Sequence, residues 1–277
     1  MSLLRLGASC ALLALAGCTR QATPGLPPGT TVDDLPESES WNARLRATDD
    51  GQPRLEIDAP YLARYDRADT AYVYLGPAPG DSASRVAVRL YDDGQLSATV
   101  SAGEAWYYED DGRLVTRGDV RTSVTGEQGA QIEAEAMEVR GDTVEASGRV
   151  RADVQSGPGA RIEAGRLLLT RGGSFSASGG VTARLDGQAQ ATVRAPRVSG
   201  STGSVEASGG ARVETSGGRW LESSRVVWNE RSERFRAPGA FTFDGPGERV
   251  RGVGLNASAD LSRYSFRNAT GEIEVRE

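Results

Sequence analysis

The sequence has no histidine and no lysine, only two cysteines in 277 residues, and few aromatics, at 6%. Without histidine, the commonest general base and metal ligand is missing, and neither a metal nor a cofactor is expected. No apolar run approaches the roughly 20 residues that a membrane-crossing helix needs. Basic charge is not in excess either: 32 arginines stand against 38 acids, a formal net charge of −6. That balance argues against a nucleic-acid partner and against adsorption to an anionic lipid surface. Glycine is abundant, at 35 residues, and a glycine-rich chain poor in aromatics favours many turns and thin strands over a bulky core.

The N-terminus reads as a secretory signal. Arg5 precedes an apolar, small-residue stretch from Leu6 to Ala16, which is followed by Leu15-Ala16-Gly17-Cys18. This last run resembles the bacterial lipobox. The resemblance implies a signal peptide over 1–17, acylation of Cys18, and a periplasmic protein lipid-anchored to the inner or outer membrane. Cys10 would leave with the signal, so no disulfide is available. Residues 18–40 are rich in Pro, Gly and acids without periodicity, which predicts a flexible tether. The folded part is expected over 41–277.

That part is repetitive. Leu114-Val-Thr-Arg-Gly118, Val144-Glu-Ala-Ser-Gly148, Phe175-Ser-Ala-Ser-Gly179, Val205-Glu-Ala-Ser-Gly209 and Phe235-Arg-Ala-Pro-Gly239 align on glycines spaced 30 or 31 residues apart. Within a copy the alternation is strict. Val144, Ala146, Gly148, Val150, Ala152 and Val154 point one way, while Glu145, Ser147, Arg149 and Arg151 point the other. Period two with one apolar face predicts half-buried antiparallel strands. The shared glycine predicts a bend or bulge, so that valine at Gly148 or Gly179 should be costly and valine at the outward Arg149 should not. A second strand opens at Val100, Ile132, Ile162, Val193, Leu221 and Val250. Asp93-Gly94, Asp111-Gly112, Asp186-Gly187 and Asp244-Gly245 supply hairpin-turn chemistry. Helical periodicity is missing, Ile132 to Val139 being the only stretch that invites consideration. Residues 41 to about 100 repeat less regularly, with strands expected around Leu55–Ala59, Tyr72–Leu75 and Val86–Leu90, and are expected to cap the stack.

Down the repeats, one inward row is Ala or Thr and the next is glycine. Either the two walls pinch together into a tight small-residue core, or a lengthwise apolar groove remains. The candidate groove residues are Val120, Ile132, Ala134, Val150, Ala152, Ile162, Ala164, Val181, Ala183, Val193, Ala195, Ala211 and Phe241.

The pattern Ile/Leu-x-Ala followed by x-x-x-Gly-x-Val resembles the OstA-like domain of the lipopolysaccharide-transport bridge proteins. The C-terminal run is similar to the end of LptC, the periplasmic component beside the exporter: Leu221-Glu-Ser-Ser-Arg-Val-Val-Trp228, then Val250-Arg-Gly252-Val-Gly254-Leu255, then Leu261-Ser-Arg-Tyr264-Ser-Phe266-Arg-Asn268-Ala-Thr-Gly271. The resemblance implies an elongated all-β taco or jellyroll of stacked antiparallel strands. Its apolar interior would hold the acyl chains of lipopolysaccharide or a related glycolipid, and edge strands would stack against other components of the export machinery. The chain departs from the family in carrying extra copies of the unit and a lipobox in place of a spanning helix. That leaves open whether it would act as exporter-side subunit or bridge.

Two other classes compete. A structural or adhesive β-solenoid surface lipoprotein would share the repeat. A right-handed β-helix enzyme would need a cleft with clustered acids or bases, whereas the acids here fall in turns or at outward positions. The anchor is testable directly: Cys18→Ser should move the protein to the soluble periplasmic fraction or leave it unprocessed. A variant that stays in the membrane at mature size removes the lipoprotein reading.

Overall fold

The computed structural model describes residues 35–272 apart from 68–69, 82, 126–128, 156–158, 171, 186–189 and 202. Cys18, the signal and the Asp186-Gly187 turn lie outside the described residues. The rest is strand and turn: β1 (Ser38–Asp49), β2 (Gln52–Arg67), β3 (Thr70–Gly76), β4 (Val86–Asp92), β5 (Gln95–Ala102), β6 (Glu104–Tyr108), β7 (Arg113–Val124), β8 (Ala130–Arg140), β9 (Thr143–Val154), β10 (Ala160–Thr170), β11 (Phe175–Leu185), β12 (Ala191–Ser201), β13 (Ser204–Thr215), β14 (Trp220–Asn229), β15 (Arg234–Gly245), β16 (Glu248–Ser258), β17 (Tyr264–Ser265) and β18 (Asn268–Glu272). The protein is all-β, and Ile132 to Val139 lies in a strand. The first strand begins at Ser38, three residues before the expected boundary at Trp41.

From β7 to β16 each strand pairs antiparallel with the one before and the one after. The irregular N-terminal third follows the same plan with broken strands. β4 and β3 pair in turn along β2, through Ile57↔Val88 and Arg64↔Val73. β5 and β6 pair in turn along β7, through Ser101↔Arg121 and Glu104↔Arg117. β17 and β18 share the last row along β16. The result is an open, elongated stack of rows, with β1 and the β17–β18 row at its edges.

From β7 to β16 every row is bent near its middle. Between Glu133↔Arg151 and Ala136↔Ser147, two residues of β8 face three of β9, which is a β-bulge. The extra length is taken up by two consecutive left-handed residues, Gly148 (φ 75°) and Arg149 (φ 46°). The same pair recurs as Gly118-Asp119, Gly179-Gly180 and Gly209-Gly210. At Gly239, after Pro238, the φ is not left-handed; the register still shifts there, and Gly254 on the neighbouring strand carries the positive φ instead. The expected tolerance of Arg149 is therefore wrong. Its side chain does point outward, with Nε donating to Glu135 at 2.6 Å, but a β-branched residue is strained at positive φ.

The bulge acts differently on alternate strands. β9 gains a residue and keeps its parity, burying Ala146, Val150 and Ala152. β8 and β10 do not, so their inward face switches, from Ile132 and Ala134 to Met137, and from Ile162 and Ala164 to Leu167. Buried residues from both sides of the bend belong to one cluster, Ala152 and Ile162 with Leu167, Ala177 and Val198. The sheet is thus creased along its bulges, with its two halves facing each other.

Of the expected turns, Asp93-Gly94 is a two-residue hairpin loop with both φ values positive, as type I′ requires. Asp111-Gly112 ends a four-residue loop between Tyr108 and Arg113. Asp244-Gly245 is not the turn. Those residues still pair, and Pro246-Gly247 forms the loop, because Gly245 faces Glu248 across it.

The crease sets a stability test. A Cβ on Gly179 would combine φ +84° with a 3.1 Å approach to Gly165 Cα, so Gly179→Val should cost about 1–3 kcal/mol. The outward, extended Arg151→Val should stay within about 0.5 kcal/mol in urea unfolding. Equal costs would contradict the crease.

Candidate functional site: an apolar groove between two rims

A cavity of about 1130 Å³ runs along the fold, larger than the roughly 300–1,000 Å³ of ordinary small-molecule pockets. Its lining comes from strand ends. One rim is built by the turns at Asp50 and Asp93 and the segments at Thr125 and Gly159; the other by the turns at Gly112, Gly141, Gly173 and Gly203. Between the rims lie apolar side chains such as Leu55, Leu114, Ile132, Ile162, Leu169 and Leu185. The crease glycines are absent from this lining. The groove therefore lies along the free margins of the folded sheet, opposite the bend.

This location resolves the alternative left by the small-residue rows, because each half of it holds in a different place. Beside the crease the walls pinch. Ala146, Ala177 and Ala207 are at most 4% exposed, Val150 and Val181 1% and Ala211 0%, and none of them lines the cavity. Farther out the walls diverge. All thirteen candidate residues are buried, but only Ile132, Ala152, Ile162 and Ala183 reach the cavity. Val120, Ala134, Val150, Ala164, Val181, Ala195 and Ala211 pack at or beside the crease. Val193 and Phe241 belong to the solid core of the later strands.

The residues missed from the sequence are those that follow the parity switch, above all Leu167, Leu169 and Val198, with Trp228 at the far end. Counting in twos from Ile162 or Val193 sends the wrong residues inward. A signal did exist: Leu167-Leu168-Leu169 is apolar on both parities, which is how a face switch looks in sequence.

The groove is stoppered at its C-terminal end. Trp228 packs on Phe235 with ring centroids 4.7 Å apart, and Phe243 packs on Tyr264 at 4.6 Å. Phe235 and Phe243 are fully buried, and so is Leu261, which is tucked in by the turn after β16. In that turn the Asp260 carboxylate accepts from the Ser258 hydroxyl at 2.6 Å and the Ser262 N–H at 3.0 Å, and these bonds hold its pKa well below the usual range. Toward the N-terminal end the rims approach each other, and the Arg54 guanidinium comes within 3.7 Å of where a Gly112 Cβ would stand. In the same loop, burial alone would push the Asp111 carboxyl up, but the Arg113 N–H and the Arg140 guanidinium at 3.0 Å hold it down.

Outside, the strands carry cross-strand ion pairs, among them Arg161–Asp153 at 2.7 Å and Arg184–Glu163 at 3.2 Å. Such exposed pairs contribute about 0–1 kcal/mol each, so burial and the ladder carry the fold. Among the described residues no three acidic, Cys or His side chains gather where a metal ion could sit. No helix there is long and apolar enough to cross a membrane.

Crease and groove should answer differently to added bulk. Ala211→Phe enters a sealed core and should cost about 1–3 kcal/mol. Ala183→Trp, which can extend into the cavity, should cost well under that, within about 1 kcal/mol. Thermal unfolding of the two variants side by side checks this, and a larger loss at Ala183 would mean that the cavity has no room to give.

No family model matches the sequence, and no curated protein matches it.

Proposed function

We propose that this chain is a periplasmic lipoprotein of the lipopolysaccharide-export kind, which carries the acyl chains of a glycolipid in the groove between its rims. The observation that carries the reading is the groove itself. A cavity of about 1130 Å³, open along one side and lined between its polar rims mainly by apolar side chains, suits flexible hydrocarbon better than a rigid polar substrate. Burying chain there recovers about 0.8 kcal/mol per methylene relative to water, which offsets the cost of drawing a lipid tail out of a membrane. The anchor expected at Cys18 would keep the groove close to the bilayer. The edge rows, β1 and β17–β18, offer backbone groups on which other export components could add strands. The aromatic stopper at Trp228 and Phe235 makes this groove a holding site, and a through passage would require those rings to part.

A photoreactive residue placed at Ile162, in cells that depend on the gene, should crosslink to glycolipid, whereas one at the outward Arg151 should not. Ala183→Trp should abolish the crosslink and let glycolipid accumulate at the inner membrane while the protein stays folded. Absence of lipid at Ile162, or equal labelling at both positions, would leave the structural-lipoprotein reading in its place.

A further inference from the structure

The aromatic residues divide by type. Phe235 and Phe243 fill the core at the C-terminal end, whereas two of the four tryptophans and five of the eight tyrosines gather on the outer face of the N-terminal third. Val73, Leu75 and Ala105 point into the core there, so the residues next to them on β3 and β6 turn outward. Trp41, Tyr61, Tyr74 and Trp106 follow one another across β1, β2, β3 and β6, with ring centroids 5.7, 6.3 and 5.6 Å apart. Tyr65, Tyr72 and Tyr108 form a second line beside them, at 5.0 and 5.9 Å. The rings roof Ala63, which shares their face opposite Tyr74 and is 0% exposed. The Tyr61 and Tyr74 hydroxyls donate to the carboxylates of Glu39 and Glu104. The guanidiniums of Arg113 and Arg117 lie over Tyr108 and Trp106, at 3.9 and 5.3 Å. An outer sheet face has no packing need for large rings, and a cluster of them marks an interaction surface.

The chain joins the body at this face. The Glu37 N–H donates to the Arg64 carbonyl at 2.8 Å, next to Tyr65, and Leu35 and Trp41 are 43% and 57% exposed. Cys18 stands 17 residues before Leu35, a stretch that spans at most about 60 Å, so an acyl anchor there would hold this end of the body beside the bilayer. We infer that the aromatic face seats in the headgroup layer of the membrane that carries the anchor. Trp and Tyr favour that layer because the ring meets the acyl boundary while its N–H or hydroxyl stays hydrated. The two acids and two arginines in these contacts balance, so zwitterionic lipid suffices, in keeping with a net charge of −6 that disfavours an anionic surface. The inference rests on acylation of Cys18 and adds a second membrane contact, which fixes how the body is oriented on its anchor.

The test uses the full acylated chain in phosphatidylcholine vesicles whose acyl chains carry bromine close to the headgroup, a quencher of tryptophan emission. Trp228→Phe is present throughout, so that lipid entering the groove is silent. Trp41 and Trp106 should then be quenched severalfold more than Trp220, which faces outward on β14 beneath the Arg212 guanidinium at 4.3 Å. Trp41→Phe combined with Trp106→Phe should remove most of the quenching, and Trp220→Phe little of it. These substitutions keep a ring at each position, and urea unfolding checks that the variants remain as stable as the parent. The quenching should persist at high salt, because screening acts on charges and leaves apolar burial untouched. Vesicle-bound protein whose Trp41 and Trp106 are quenched no more than Trp220 overturns the inference and leaves the anchor intact. If the chain does not float with the vesicles at all, it carries no anchor, and the lipoprotein reading falls with the inference.

Discussion

The structure depends on a bulge that recurs about every 30 residues, in which two successive residues adopt positive φ. Without it each strand would run straight and its sheet would be flat, with one apolar face open to water. With it each row bends at the same height, the creases align from row to row, and one sheet supplies both walls of its own core. Most sandwiches need two sheets and the long connections between them. Here neighbouring rows are joined by hairpins or short links, and the only long-range order required is that the creases line up.

The crease also divides the interior. Close to the bend, walls that meet at a small angle leave room only for Ala, Thr and Val. Farther out they separate by more than Leu and Ile can fill. A V-shaped section lined by side chains of limited size is tight at its apex and hollow at its mouth. The chain closes the C-terminal end of that hollow with larger residues, using Phe235, Phe243, Tyr264 and Trp228, and leaves the middle, served by Val, Ala and Leu, unfilled.

Much of this could be read from the sequence, for physical reasons. Period-two alternation is local, so the strands and their inward faces in the glycine-bearing copies were recoverable from Val144 to Val154 alone. The regular spacing of Gly118, Gly148, Gly179 and Gly209 marked the bend. The partner strands were harder, because a bulge shifts register between two chains while leaving its mark on only one of them. Nothing at Ala164-Gly165 announces that the inward face passes next to Leu167. For the same reason the sequence sets the groove too near the crease: the inward residues are legible in it, but their depth depends on the opening angle, which no single strand encodes. Asp244-Gly245 misled because turn-forming residues also fit the last pair of a strand when Pro246-Gly247 stands ready to turn.

Each copy of the unit contacts only its neighbours along the stack and adds two rows. At about 4.8 Å per row, one copy adds close to 10 Å. The cross-section is set by the crease and the length by the number of copies, so the two can change independently. Duplicating one copy in the gene would give a longer channel of unchanged profile, still capped by the same aromatic end. Such a protein can be fitted to the gap it must span by counting units, with no redesign of its interior.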